Sequence, residues 1–194
     1  MTNVKEVFKQ KLLQSIEYSY TEADAEGRAR PRYFSVVPND SDGFCECESC
    51  TAVRGEYGLA GELLLFVNDM AAAVKTQYPE VLIEMPAYWH YIDAPEKVVP
   101  ADNVEVRFAA NATDLLHDLN HANNAHTLEQ LQKWAALCGT SADKGYENRL
   151  YFWQYVVNYN NNRIFPSMYH YGNDFTLCQS CLLYTSPSPR DISG

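Results

Sequence analysis

Tyr33-Phe-Ser-Val-Val-Pro-Asn-Asp, residues 33–40, holds a strand and its stop within one short run. Aromatic and β-branched residues favour extended backbone, and the proline with two turn formers behind it ends the extension. Upstream, the polar stretch Gly27 to Arg32 reads as a connection. Before that, Val4, Val7, Phe8, Leu12, Leu13, Ile16 and Tyr20 recur at spacings of three and four, and Asn3 with Glu6 has the form of a capping box. The chain therefore opens on an amphipathic helix. Downstream, a second helix is predicted over about Leu59 to Tyr78, where Leu63, Phe66, Val67, Met70, Ala71 and Val74 share one face.

Val81 to Ala87 reads as the next strand and Val104 to Ala109 as another, entered through the turn residues Asp102-Asn103. Only a proline-containing linker separates these two. A third helix is predicted from Thr127 to about Cys138, with Thr127 and Gln130 as a capping box, Leu128, Leu131 and Trp134 on one face, and Gly139 as terminator. Arg149 to Trp153 is the last strand in the pattern. Mostly alternating strands and helices favour an α/β fold with a parallel sheet and helical crossovers over a bundle or a sandwich.

The chain has 194 residues, 46% of them hydrophobic, enough for one domain with a sizeable core. A net charge of −10 with no Lys/Arg run argues against nucleic acid as a partner. No sequence stretch reads as a transmembrane segment, and the polar Thr2 to Glu6 run has no signal-peptide core. From Cys181 to Asp191 the sequence Cys-Leu-Leu-Tyr-Thr-Ser-Pro-Ser-Pro-Arg-Asp resembles a translated sequencing-library adapter without a break. Residues 181–194 are therefore expected to be a non-native, disordered tail. The expected organisation is a partial domain over residues 1–180, truncated at both ends, with that tail after it.

In barrels of alternating strands and helices the reacting groups stand where strands end. Those positions here are Asn39 and Asp40; Tyr88, Trp89, His90 and Tyr91; Asn111; and Trp153, Gln154, Tyr155 and Asn158. A carboxylate, amides and aromatic rings suit a sugar, whose C–H faces stack on rings while its hydroxyls pair with amides and carboxylates. Each position also has an ordinary explanation. Asn-Asp after a proline is a common turn pair, Tyr88 to Tyr91 fits rim packing, and His90 fits a surface histidine.

Cys45, Cys47 and Cys50 form a C-x-C-x-x-C run. Two of them could staple the loop as a disulfide in an exported protein. Three thiolates could instead hold a soft metal, with Cys138 or Cys178 as a fourth ligand, although structural zinc sites usually pair two such halves and no second half is present. A redox pair is the third option. No cofactor is expected.

Phe34 to Cys50, read as a strand, Asn-Asp, a Gly/aromatic step and C-x-C-x-x-C, resembles the central signature of the bacterial glycoside-hydrolase-like domain of unknown function DUF4838. The helix entering Tyr78-Pro79, the strand ending Ala87-Tyr88, the Asp102 to Arg107 strand and Tyr151-Phe-Trp-x-Tyr with Asn158 downstream agree in order. Gln154 departs from the pattern, where an aspartate often follows the tryptophan.

That resemblance implies a (β/α)8 TIM-type barrel, incomplete here, whose parent is commonly exported by gut Bacteroidetes to the periplasm, the cell surface or the medium. It further implies a small upstream α/β domain and kinship with endo-β-N-acetylglucosaminidases of glycoside hydrolase family 163. The implied partner is an oligosaccharide or N-glycan. The implied reaction is substrate-assisted, with the acetamide oxygen attacking the anomeric carbon. Asp40 and Asn39 would be catalytic, while Tyr88, Trp89, Asn111, Trp153, Tyr155 and Asn158 would bind substrate. A second carboxylate is expected on a strand beyond this chain, so residues 1–180 alone are expected to be inactive. A carbohydrate-binding barrel without catalysis, suggested by Gln154, and a metal- or disulfide-organised module are the alternatives.

Overall fold

Helix α1 (Thr2–Ala25) leads to strand β1 (Tyr33–Ser35), helix α2 (Glu48–Gln77), and strands β2 (Leu82–Tyr88) and β3 (Val104–Ala109). Helix α3 (Ala125–Cys138), strand β4 (Leu150–Trp153), the short pair β5 (Val157–Asn158) and β6 (Arg163–Ile164), and helix α4 (Tyr171–Ser180) follow. The computed structural model describes residues 2–138, 149–158 and 163–180. The tail expected from Cys181 onward and the terminator expected at Gly139 lie outside the described residues.

The four longer strands form one sheet in the order β1-β2-β3-β4. β1 pairs with β2 in parallel, Tyr33 opposite Leu82 and Ser35 opposite Glu84. β3 pairs with β4 in parallel, Val106 opposite Leu150 and Ala109 opposite Trp153. The α/β class and the parallel sheet follow from the order of apolar runs, because parallel neighbours need long crossovers. β5 and β6 are an antiparallel pair in a sheet of their own. Two residues each are too short to leave a periodic signal.

By compactness the chain divides into two units, residues up to Pro86 with Pro95–Glu105, and Ala87–Ala94 with residues from Val106 on. In the first unit, Leu12, Ile16, Tyr20 and Ala23 are the buried positions of α1. In α2, Ala60, Leu64, Val67, Met70, Ala71 and Val74 are buried, together with Cys50 and Gly61. Both rows step by three and four residues, one face of a helix. Phe8 meets Phe66 edge-on at 5.2 Å, and Tyr20 meets Tyr78 at 5.4 Å. Each fully buried Leu, Val or Met on this face is worth about 1.5–3 kcal/mol over its exposed state. Asn68 ties the approach to β3, donating to the Val99 carbonyl at 2.9 Å and accepting from the Ala101 amide at 2.9 Å.

Several boundaries differ from expectation. α2 starts at Glu48 instead of Leu59, and its backbone leaves helical geometry at Gly58, with φ 72 and ψ 174. Those angles suit glycine alone, so the expected start marks the second of two segments merged across a break. α2 is also long and apolar enough to cross a bilayer by length and composition. Its apolar side is the core face just described, which is consistent with the absence of a membrane span. Asn3 is no cap, since α1 already includes Thr2. Thr127 and Gln130 are no capping box either, because α3 begins at Ala125 behind a 3-10 turn, Ala122–Asn124. Both side chains are buried, and Gln130 accepts the Ala94 amide at 2.9 Å instead.

In the second unit Phe108, Leu119, Leu131, Trp134, Cys138, Leu150 and Cys178 are buried. Phe108 and Phe152 stack at 6.1 Å across the β3–β4 ladder. Trp134 donates its indole N–H to the Ile92 carbonyl at 2.8 Å. With Gln130, this pins residues 92–94 to α3, which fixes the segment that follows β2.

Candidate functional site

In the first unit, the chain leaves β1 with the Val36 amide still donating to the Glu84 carbonyl at 2.8 Å. Asn39 and Asp40 come next, both exposed. The Ser41 amide donates to the Asn39 carbonyl at 2.9 Å, so Asp40 sits at the apex of a three-residue γ-turn, a common device at strand ends.

The same loop then brings three sulfurs together. The Sγ atoms of Cys45, Cys47 and Cys50 all lie within 4.8 Å of one another. Cys45 and Cys47 are exposed, Cys50 is buried, and none is in a disulfide. Cys47 is the residue before the first turn of α2 and has extended geometry, φ −64 and ψ 152. The Cys50 amide N–H at that helix start, with the neighbouring thiols and the Ser49 amide, holds the Cys47 thiol below the usual range. Cys50 is pushed up to about 12, chiefly because its thiol donates to the sulfurs of Cys45 and Cys47. Arg54 clamps the loop: it donates to the Cys45 carbonyl at 3.0 Å, pairs with Glu62 at 2.8 Å, and lies over the Phe44 ring at 5.1 Å.

In the second unit, β2 ends at Tyr88 and a 3-10 turn, Trp89–Tyr91, follows at once. Trp89 has φ 51, the one positive value at a non-glycine residue among those described. Bulky side chains avoid that region, so the turn holds Trp89 against its own preference. Its ring stacks on His90 at 4.0 Å and lies 6.4 Å from Tyr88, yet 39% of the residue stays open to solvent. At the end of β4, Trp153 is 48% exposed, and the Arg107 guanidinium sits 5.2 Å from its ring centre. Asn111 is exposed, two residues past β3, and its amide donates to the Ala109 carbonyl at 2.9 Å in a second γ-turn. Gln154 and Tyr155 are half-buried. Asn158 is in β5, paired with Arg163; its side chain lies outside what is described.

The structure thus joins Tyr88, Trp89 and His90 in one group and Arg107 with Trp153 in another. Asn39 and Asp40 lie in the same β1–α2 connection as Cys45 and Cys47. Sequence reading missed Arg107, whose signal was its place two residues before the end of β3, opposite Tyr151.

It also missed a polar network after β3. Asp114 accepts from the Asn123 side chain at 2.7 Å, from the Leu116 amide at 3.0 Å, and faces His117 at 2.9 Å. Those bonds, the Asn123 one foremost, lower its pKa to about 2. Buried Asn124 accepts the Asp114 amide at 2.8 Å and donates to the carbonyls of Asp114 and Asp118 at 3.1 and 2.9 Å. Asp118 pairs with His170 at 2.8 Å, while Asp174, raised by burial, accepts the Leu119 amide at 2.8 Å. These groups satisfy one another, so they read as loop architecture and not as open ligands.

The fold and these residues define an α/β protein with a parallel sheet, aromatic rings at two strand ends and a thiol cluster at the start of α2. The chain belongs to the family described as Domain of unknown function (DUF4838), whose pattern it matches over residues 6–183. No curated protein and no solved structure matches it.

Proposed function

We propose that this chain is part of a carbohydrate-active glycoside hydrolase, a (β/α)8 barrel of the TIM type, acting on N-acetylglucosamine-containing glycans. The observation that carries the reading is Trp89, an exposed indole held at a positive φ directly past a parallel strand. Backbone strain at a solvent-facing aromatic is a device for presenting a flat apolar surface, and pyranose rings are its natural complement. Trp153, steadied by Arg107, supplies a second such surface.

In this reading the substrate acetamide is the nucleophile. Asp40 orients or protonates, and Asn39 binds the same substituent, with the second carboxylate supplied from elsewhere in the parent protein. The parent would be exported to the periplasm, cell surface or medium, with an α/β domain upstream. The γ-turn at Asp40 favours a second reading, a carbohydrate-binding barrel in which Asn39-Asp40 only turns the chain.

Two variants separate these readings. Titrated with a chitobiose-core glycopeptide and followed by tryptophan fluorescence, Trp89→Ala should bind roughly tenfold more weakly, a loss of about 1.4 kcal/mol. Unchanged affinity would reject the aromatic site. In the intact gene product, Asp40→Asn should keep folding and binding but lower kcat by roughly two to four orders of magnitude. Wild-type-like kcat would leave Asp40 a turn residue.

A further inference from the structure

We propose that Cys45, Cys47 and Cys50 bind one soft divalent cation of the zinc class through three thiolates, with the fourth coordination position on the solvent side. Cys45 and Cys47 share the β1–α2 connection with Asn39 and Asp40, but the inference does not rest on the glycan reading.

Geometry is the first support. A tetrahedral zinc ion bonds sulfur at about 2.3 Å, which places its ligand sulfurs roughly 3.8 Å apart. The three Sγ atoms already lie within 4.8 Å of one another, so closure onto an ion needs only small side-chain rotations. Number is the second. A disulfide uses two sulfurs and leaves a third beside it with no covalent role, whereas a metal takes all three. The five described cysteines are thiols, not half-cystines.

The backbone is the third support. Cys47 stands immediately before α2 and Cys50 lies in its first turn. The positive end of a helix favours negative charge beside it, and two of the three sulfurs belong to residues at that end. Charge is the fourth. Three thiolates and a divalent ion leave one net negative charge, and Arg54, fixed by the Cys45 carbonyl, Glu62 and Phe44, is the adjacent cation. Cys45 and Cys47 are exposed, which turns the remaining coordination position outward. Binding displaces a proton from each thiol that is protonated, so affinity should fall as pH falls.

The test uses the whole chain, reduced and stripped of metal under argon. Zinc(II) is titrated in competition with a chromophoric chelator, and cobalt(II) serves as the spectroscopic probe. One ion per chain is expected, with sulfur-to-cobalt charge transfer in the near ultraviolet and intense tetrahedral bands in the visible. Cys45→Ser and Cys47→Ser change exposed side chains and should keep the wild-type circular dichroism. Each should weaken zinc(II) by more than the roughly 10–100-fold typical of losing an outer-sphere partner. Wild-type affinity in those variants, or absence of a stoichiometric site in the parent chain, would overturn the proposal. So would a disulfide among the three that forms in air equally fast with and without saturating zinc(II).

Discussion

The loop from β1 to α2, residues 36–47, and the loop from β3 to α3, residues 110–124, both leave a parallel strand and end at a helix, yet different chemistry holds them. The second is laced by side chains: Asp114 and Asn124 satisfy its amides and carbonyls, His170 and Asn173 meet the Asp118 carboxylate, and Asp174 accepts the Leu119 amide. The first is held from outside by Arg54 and carries two of the three clustered sulfurs, the third being Cys50 in the first turn of α2. Hydrogen-bonded polar groups fix a loop at the moment of folding, because burying them without partners costs free energy. Thiols are weak hydrogen-bonding groups, so a loop built on them gains rigidity from a bond made afterward, to a metal or to another sulfur.

The largest expected effect tests the laced loop. Asn124 is 1% exposed and makes at least three hydrogen bonds to backbone. Asn124→Ala leaves the Asp114 amide and several carbonyls without their partner, at about 1–3 kcal/mol for each buried group that water cannot reach. A loss of about 3 kcal/mol in urea unfolding is expected. A loss below about 0.5 kcal/mol would erase the distinction between the loops.

Such a network is hard to read from sequence. Asp174 and Leu119 are 55 residues apart, and nothing in the local run Asp174-Phe-Thr announces that its carboxylate accepts a distant amide. Strands were legible because β-branched and aromatic runs such as Tyr33 to Val37 and Val81 to Met85 are bounded by turn residues. The start of α2 was not, since Gly55, Gly58 and the cysteines lower helix propensity over residues that the fold nonetheless makes helical. Candidate site residues were legible as positions, at strand ends, but not as geometry: the γ-turn at Asp40 and the positive φ of Trp89 come from backbone conformation that composition does not encode. α4 was missed because Tyr171 to Ser180 buries only Asp174 and Cys178, too few positions for a periodic signal.

A smaller effect sharpens the comparison through pH. The pKa of Asp114 is lowered to about 2, first by the Asn123 side chain, then by the Leu116 amide and His117. A carboxylate lowered on folding adds stability above its unfolded value of about 3.9, and that stability is lost as pH falls through the folded value. Wild type should therefore exceed Asp114→Ala in stability at pH 6, and the gap should narrow between about pH 4 and pH 2. Denaturation midpoints across that range give the answer, and a gap independent of pH would mean that the ionised carboxylate is not what ties this loop.

The smallest effect concerns the other loop. Cys45 is exposed, and the contact that holds this residue to Arg54 uses its backbone carbonyl, which any side chain leaves in place. In metal-free, reduced protein Cys45→Ser should shift Tm by no more than about 2 °C, the scale of a surface substitution in a chain of this size. With saturating zinc(II) the two proteins should separate, because a ligand that binds only the folded state raises Tm in proportion to its affinity, and the variant has lost one of three donors. Differential scanning fluorimetry with and without the ion measures both halves. A large shift already present without metal would place the cysteine loop with the laced one, as structure fixed by folding itself, and the contrast between the two loops would then rest on their composition and not on how they are stabilised.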